Sequence, residues 1–211
     1  MSPTVSAWRD VDFEGVAGLF TDLWGWELEG SPDELRDISE LYVAGAVLAC
    51  NRLRVVRADA RPVAFLGSIV GVNARADEAL KDRLAFETAA LQLEARVRAT
   101  PFGMESIVFN DGITAANKVL KQKLAEAGVT WNGELKLLMT SSVCQGQGLG
   151  SLLVRETLEE MKARGVMDVV LFTDTHCNWR WYEKTGWRRA AEHDWLYKGE
   201  TITALAYHKT L

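Results

Sequence analysis

Residues Cys144–Gly150 read CQGQGLG, and Ser151–Gly165, SLLVRETLEEMKARG, follow without a break. Glycine lowers helix stability by about 1 kcal/mol relative to alanine. Three glycines on alternate positions, just ahead of a strong helix former, therefore give the backbone itself a task. Upstream, Leu135, Leu137 and Met139 alternate with Glu134, Lys136, Leu138 and Thr140, which predicts a strand. Downstream, Lys162 and Arg164 fall in the last helical turn and Gly165 just beyond it, a normal C-terminal signal. A strand that ends in a glycine-rich turn and becomes a helix N-terminus is an anion site. Free backbone N–H groups converge there, the helix dipole adds positive potential, and glycine lets phosphate oxygens approach without a Cβ in the way.

Three phosphate-loop patterns compete for these residues. The Walker form ends Gly-Lys-Ser/Thr, whereas Gly148 is followed by Leu149. The dinucleotide form needs glycine where Ser151 stands, and the loop lies too near the C-terminus for a doubly wound domain, which disfavours a dinucleotide-dependent oxidoreductase. The third form, Gln/Arg-x-x-Gly-x-Gly/Ala, is matched by Gln145, Gly148 and Gly150. It resembles the coenzyme A pyrophosphate loop of the GNAT superfamily of N-acetyltransferases. The stretch CNWRWYEKTGW, Cys177–Trp187, is similar to that family's Asn…Phe-Tyr-Glu-Lys-x-Gly-Phe block, one strand later, with tryptophan at 181 and 187 in place of phenylalanine.

Working outward, Val5–Arg9 reads as a short strand and Phe13–Leu23 as a helix. Ser31-Pro32-Asp33 opens a second helix, with Ser31 as N-cap and an apolar stripe through Leu35, Ile38, Leu41/Tyr42, Gly45 and Leu48. Leu53–Ala58 and Val63–Val72 form a hairpin turning through Asp59–Pro62. Asn73–Thr100 is charged, alanine-rich and helical. A second amphipathic segment carries Ile113, Ala116, Leu120 and Leu124 and is closed by Gly128. After the glycine loop and its helix come a buried-type strand at Asp168–Thr175, a short helix at Asn178–Lys184 and two final strands within Trp187–Leu211. The alternation predicts an α/β (α+β) fold. The resemblance implies a GNAT-like mixed, mostly antiparallel central sheet flanked by helices. By that standard the whole chain, 1–211, is one GNAT-like domain, with a helical insertion around 73–131 that is expected to lid the site.

Composition sets the class. The chain has 211 residues, 48% hydrophobic and 25% charged, with a net charge of 24 − 29 = −5. It can bury an ordinary core, and without a basic stripe it argues against a nucleic-acid partner. Cys50, Cys144 and Cys177 are odd in number and in no metal-type spacing, which fits a reducing compartment and no metal. The start MSPTVSAWRD lacks a basic region followed by an apolar one, and no apolar run approaches the roughly 18 residues of a membrane span. The expectation is a cytoplasmic protein without a membrane partner; a homodimer is left open.

The resemblance implies acetyl-CoA as cosubstrate. Gln145, Gly146, Gln147, Gly148, Leu149 and Gly150 would bind its pyrophosphate, and the strand carrying Leu138, Met139 and Thr140 would pair with its pantetheine arm. A backbone N–H near Leu138 would serve as oxyanion donor. Asn178 would contact the pantetheine, or act as a helix N-cap, or both. Tyr182 would protonate the departing thiolate. Glu134 stands where some members carry a glutamate base, on the same strand face as Leu138 and Thr140 by simple alternation; a solvated strand end is the plainer reading. Asp174 and His176 are alternatives. An acyl-cysteine route through Cys144 or Cys177 is discounted, since neither has a basic neighbour other than His176 to stabilise a thiolate. The acceptor, a small-molecule or peptide amine, would meet DLWGWELEG, where Trp24 and Trp26 stand beside Glu27 and Glu29. The leading reading is an N-acetyltransferase working by direct amine attack on the thioester. The alternative is a non-catalytic acyl-CoA-binding or regulatory domain.

Overall fold

The computed structural model describes residues 4–25, 30–71, 80 and 82–211. Trp26, Glu27, Glu29, Val72 and the first residues of the expected insertion lie outside them. The elements run β1 (Val5–Ala7), α1 (Phe13–Trp24), α2 (Pro32–Ala49), β2 (Arg52–Ala58), β3 (Arg61–Val70), α3 (Arg83–Arg98), α4 (Pro101–Glu126), β4 (Gly133–Thr140), α5 (Leu149–Ala163), β5 (Asp168–Asp174), α6 (Trp179–Lys184), β6 (Arg188–Tyr197) and β7 (Glu200–Thr210). They form a seven-stranded sheet in the order β1-β2-β3-β4-β5-β7-β6. β4 and β5 are parallel, and every other neighbouring pair is antiparallel.

Local chemistry accounts for the boundaries. Ser31 caps α2 by accepting from the Glu34 N–H, and the Glu34 carboxylate returns a bond to the Ser31 N–H, with Pro32 in the first turn. Asp59 and Ala60 both take positive φ, so β2 turns into β3 through two residues, tighter than the sequence suggests. Thr100 accepts from the Gly103 N–H and Pro101 opens α4, which therefore extends well upstream of its expected apolar stripe.

One face of the sheet packs Ala64, Leu66 and Leu171 against Leu149, Leu153 and Val154 of α5. The other is covered in two parts. Val16 of α1 and Val43 and Val47 of α2 meet Val55, Phe65, Leu137 and Met139, while Ala116, Leu120 and Leu124 of α4 meet Val170, Ala204 and Ala206. α3 packs outward, setting Leu93 and Val97 against Ile38 of α2. Arg52 and Arg54 of β2 clasp Glu160 of α5 at 2.7 and 2.6 Å.

Two irregularities at the centre shape the molecule. β4 and β5 pair only through Gly133/Val169, Glu134/Val170 and Leu135/Leu171. Beyond that point the strands run on without pairing. On its other side β4 pairs Leu137 with Gly67 but Leu135 with Ser68, so Lys136 is an extra, unopposed residue. Such a bulge inverts the alternation of faces on either side of it. Leu138 and Thr140 therefore lie opposite Leu66 and Ala64 on the α5 face, and Glu134 lies opposite Ile69 on the α4 face. This corrects the expectation that Glu134 shares a face with Leu138 and Thr140. Among the described residues, no helix is long and apolar enough to cross a membrane.

Candidate active site

Where β4 and β5 part, a cleft of about 690 Å³ opens. The glycine loop walls one end. Gly146 and Gly148 both have φ +78°, a left-handed conformation that side chains rarely adopt, and a Cβ at either would project into open space. The first intrahelical bond of α5 runs from Leu152 N–H to the Gly148 carbonyl, so the amides of Leu149, Gly150 and Ser151 point out of the helix end. No side chain caps this terminus and no acidic residue stands in its first turn. The cradle suits a phosphate group: amides and dipole are available, and among the described residues no atom lies within 4 Å of where a Cβ at Gly146 or Gly148 would stand.

The loop entrance is fixed from a distant element. Asp22 on α1 accepts from the Ser142 N–H at 2.9 Å, the Ser142 hydroxyl at 2.8 Å and the Ser141 hydroxyl at 3.2 Å. The Ser142 amide bond, with help from the hydroxyls, holds the Asp22 carboxyl below the usual carboxylate range. Sequence reasoning missed Asp22, because nothing near it in the chain announces a partner 120 residues on.

Along the cleft, Ser141 N–H donates to the Val63 carbonyl at 2.9 Å. Backbone groups alternate along a strand, so Leu137 and Met139 also address β3, while Leu138 and Thr140 turn their backbone toward the gap. Of the sequence-selected residues, Glu134, Leu138, Thr140, Gln145, Gly146, Gly148, Leu149, Gly150, Asn178 and Tyr182 all line the cleft. Met139 and Gln147 do not. Met139 is buried in the core beneath α1 and α2, and the Gln147 amide folds back on the Val143 carbonyl at 3.3 Å. Asn178 makes no capping bond to α6, so its side chain is left to the cleft rather than to the helix.

Tyr182 stands on α6 with its ring against Trp181, Trp187 and Tyr207, at centroid distances of 5.1, 6.3 and 5.8 Å. Burial, reinforced by Cys177, keeps its phenol above the ordinary range and hence protonated at neutral pH. Burial likewise pushes the Cys177 thiol up to about 12, which leaves it a poor nucleophile. A second phenol, Tyr42 of α2, faces the same spot. It lines the cleft, feels Cys177 and Asp174, and is held above its ordinary range chiefly by burial. In the sequence Tyr42 reads only as part of an apolar helix stripe. Asp174 accepts from the His176 N–H at 2.9 Å, and the His176 ring turns to Glu200 at 3.1 Å.

Opposite the loop, α4 contributes Ile113 and Asn117, one turn apart, to the cleft wall, so part of the expected insertion does border the site. Trp24 also lines it, with its ring 4.9 Å from Phe20. Glu134 is not solvated: its side chain is 7% exposed and ion-paired with Lys136 at 2.9 Å and Lys121 at 3.5 Å. Among the described residues no cluster of three or more His, Cys, Asp or Glu could hold a metal ion.

The sequence model of the acetyltransferase (GNAT) family matches residues 84–187, a span that contains both the glycine loop and the Asn178–Gly186 block. Over those 104 of its 211 residues the chain is similar to the GNAT acetyltransferase family. Solved structures agree on the GNAT fold over the full length. A protein assigned to the GNAT family from Desulfovibrio desulfuricans superimposes with a TM-score of 0.57 at 12% identity, covering 99% of each chain. A GCN5-related N-acetyltransferase from Rhodopseudomonas palustris gives 0.53 at 12% identity, covering 100% of this chain and 97% of its own. A GNAT acetyltransferase from Bacillus cereus gives 0.50 at 11%, covering 100% and 98%. No curated protein matches the chain. In this GNAT-like fold the parted strands, the left-handed glycines and Tyr182 border one cleft.

Proposed function

We propose that the protein is an acetyl-CoA-dependent N-acetyltransferase that moves the acetyl group directly from thioester to amine. The observation that carries this reading is the uncapped α5 terminus behind Gly146 and Gly148, set in one cleft with a protonated Tyr182. Acetyl-CoA supplies an activated acyl group and a thiolate leaving group. The amides of Gly148–Ser151 would hold its pyrophosphate, and the backbone of Leu138 and Thr140 would align the pantetheine as an added strand. The Leu138 N–H would steady the thioester oxygen as it gains charge. The amine nitrogen bonds to the acyl carbon, the C–S bond breaks, the sulfur takes the Tyr182 proton, and a carboxylate takes the proton the amine loses.

For that last role the geometry favours Asp174 over Glu134. Asp174 lines the cleft beside Tyr42 and Cys177, whereas both oxygens of Glu134 are engaged by lysines. The test has two readings. Acetyl-CoA should raise Tm, since a ligand that binds only the folded state stabilises it, and a screen of acetyl-CoA against amines and peptides should release free thiol. A Tm shift without thiol release from any amine would leave a non-catalytic acyl-CoA-binding domain.

A further inference from the structure

The bulge that moves Glu134 to the α4 face also assembles a small charged group at the apex of the cleft, where β4 and β5 begin to part. Lys136 Nζ lies 2.9 Å from Glu134 Oε1, and Lys121 Nζ of α4 lies 3.5 Å from Oε2 and 5.1 Å above the ring of Phe172. Among the described residues no other carboxylate pairs with either ammonium. Two cations therefore share one anion. Each ammonium has three N–H donors, and Glu134 takes one from each. Glu134 is enclosed, but Lys136 and Lys121 remain 28% and 41% exposed, with donors to spare.

At the reacting end the charge has the opposite sign. Asp174 stands beside Tyr42 and Cys177, and Cys177 in turn beside Tyr182, all lining the cleft. The cleft is thus dipolar, negative where an amine must arrive and positive at its apex, with Phe172 between. A simple diamine or polyamine would place a second cation against two ammonium groups. A molecule with an amine at one end and an anion at the other satisfies both.

We infer that the acceptor is an amine that also bears a carboxylate or comparable oxyanion, and that Lys136, which lines the cleft, receives that anion, with Lys121 adding its charge from the far side of Glu134. This rests on the acetyltransferase reading above and narrows it to a substrate class. It also gives α4, part of the segment added between β3 and β4, a task in recognition: Ile113 and Asn117 line the cleft, and Lys121, one turn beyond Asn117, shares Glu134 with the cleft-lining Lys136.

The experiment compares L-α-amino acids and ω-amino acids with their carboxamides, which keep the amine and lose the negative charge. Thiol release from acetyl-CoA should favour the free acids by at least ~10-fold in kcat/KM, the factor expected when a charge-assisted contact is lost. Lys136→Met should remove that preference by raising KM for the acids, with kcat and acetyl-CoA affinity nearly unchanged. Lys121→Met, at the more exposed position, should do the same and serves if Lys136→Met does not fold. Binding is read without turnover as well: N-acetylated amino acids should bind the CoA-loaded protein by calorimetry, and their carboxamides more weakly. Equal turnover of acids and amides, equal binding of the two products, or binding of neither would overturn the anionic-acceptor assignment. Failure of CoA itself to shift Tm would instead overturn the acetyltransferase reading beneath it.

Discussion

Asp22 of α1 and Ser142 at the mouth of the glycine loop are joined by two hydrogen bonds, 2.9 Å to the backbone N–H and 2.8 Å to the hydroxyl, across 120 residues of chain. The contact ties the loop to the helix that also carries Trp24 into the cleft. Asp22→Ala should release the loop entrance without touching the core, because Asp22 is exposed. Losing charge-assisted bonds of ~1.5–3 kcal/mol, part of them regained from water, predicts a roughly tenfold weaker Kd for acetyl-CoA and little change in Tm.

The same contact gives a pH signature. Its folded-state carboxyl is depressed below the ordinary value, chiefly by the Ser142 amide. Its contribution is therefore complete above the unfolded value of ~3.9 and is lost only as pH falls through the lower folded value. The ratio of Kd values for Asp22→Ala and the native protein should stay constant from pH 7 to 5. A ratio that collapses in that interval would detach Asp22 from the loop's geometry.

Gly148 separates backbone conformation from ligand contact. Its φ of +78° costs a non-glycine residue about 1–2 kcal/mol, yet a Cβ there meets no protein atom. Gly148→Ala should accordingly fold with a modest loss of Tm and weakened acetyl-CoA binding. Gly148→Asp places a negative charge at the mouth of the α5 terminus and should abolish the acetyl-CoA-induced Tm shift. A folded Gly148→Asp protein with an undiminished shift would put the phosphate site elsewhere.

The glycine loop and the Asn178–Gly186 block were legible in the sequence because backbone tasks leave residue-type signatures: only glycine takes a left-handed φ at little cost, +78° at Gly146 and Gly148 and +81° at Gly186. Strand faces were legible up to the bulge. Alternation counts residues and has no mark for an unopposed one, so Lys136 silently turned Glu134 to the other side of the sheet. Tyr42 and Asn117 escaped for a related reason. Helix periodicity says which residues share a stripe, but not whether that stripe faces core or cleft. Only the packing of α2 and α4 beside the β4–β5 gap decides that.

The pH–rate profile should identify the group that takes the amine proton. A carboxylate base must be ionised, so the rate rises with pH until the base is free. Asp174→Asn is expected to lower single-turnover acetyl transfer by ~10²-fold or more and to remove that rise. Glu134→Gln keeps the shape of the apex but frees both lysines, so its effect should fall on KM for the acceptor. Should Glu134→Gln abolish the pH dependence while Asp174→Asn preserves it, the base is Glu134.

Tyr182→Phe removes one hydroxyl and keeps the ring that packs on Trp181, Trp187 and Tyr207, so folding should change little. If that hydroxyl protonates the leaving sulfur, the chemical step loses general-acid help, ~10²–10⁴-fold. The pyrophosphate and pantetheine contacts lie on other residues, so Kd for acetyl-CoA should stay nearly constant while kcat falls. Burial raises the folded-state phenol above its ordinary value of about 10, so ionisation of Tyr182 should cause no alkaline fall in rate below pH 10. Slow product release could mask the chemical step in steady state, and single-turnover rates must therefore be compared. Equal single-turnover rates for the two proteins would remove Tyr182 from the chemistry and pass the proton to Tyr42, the other buried phenol beside Cys177.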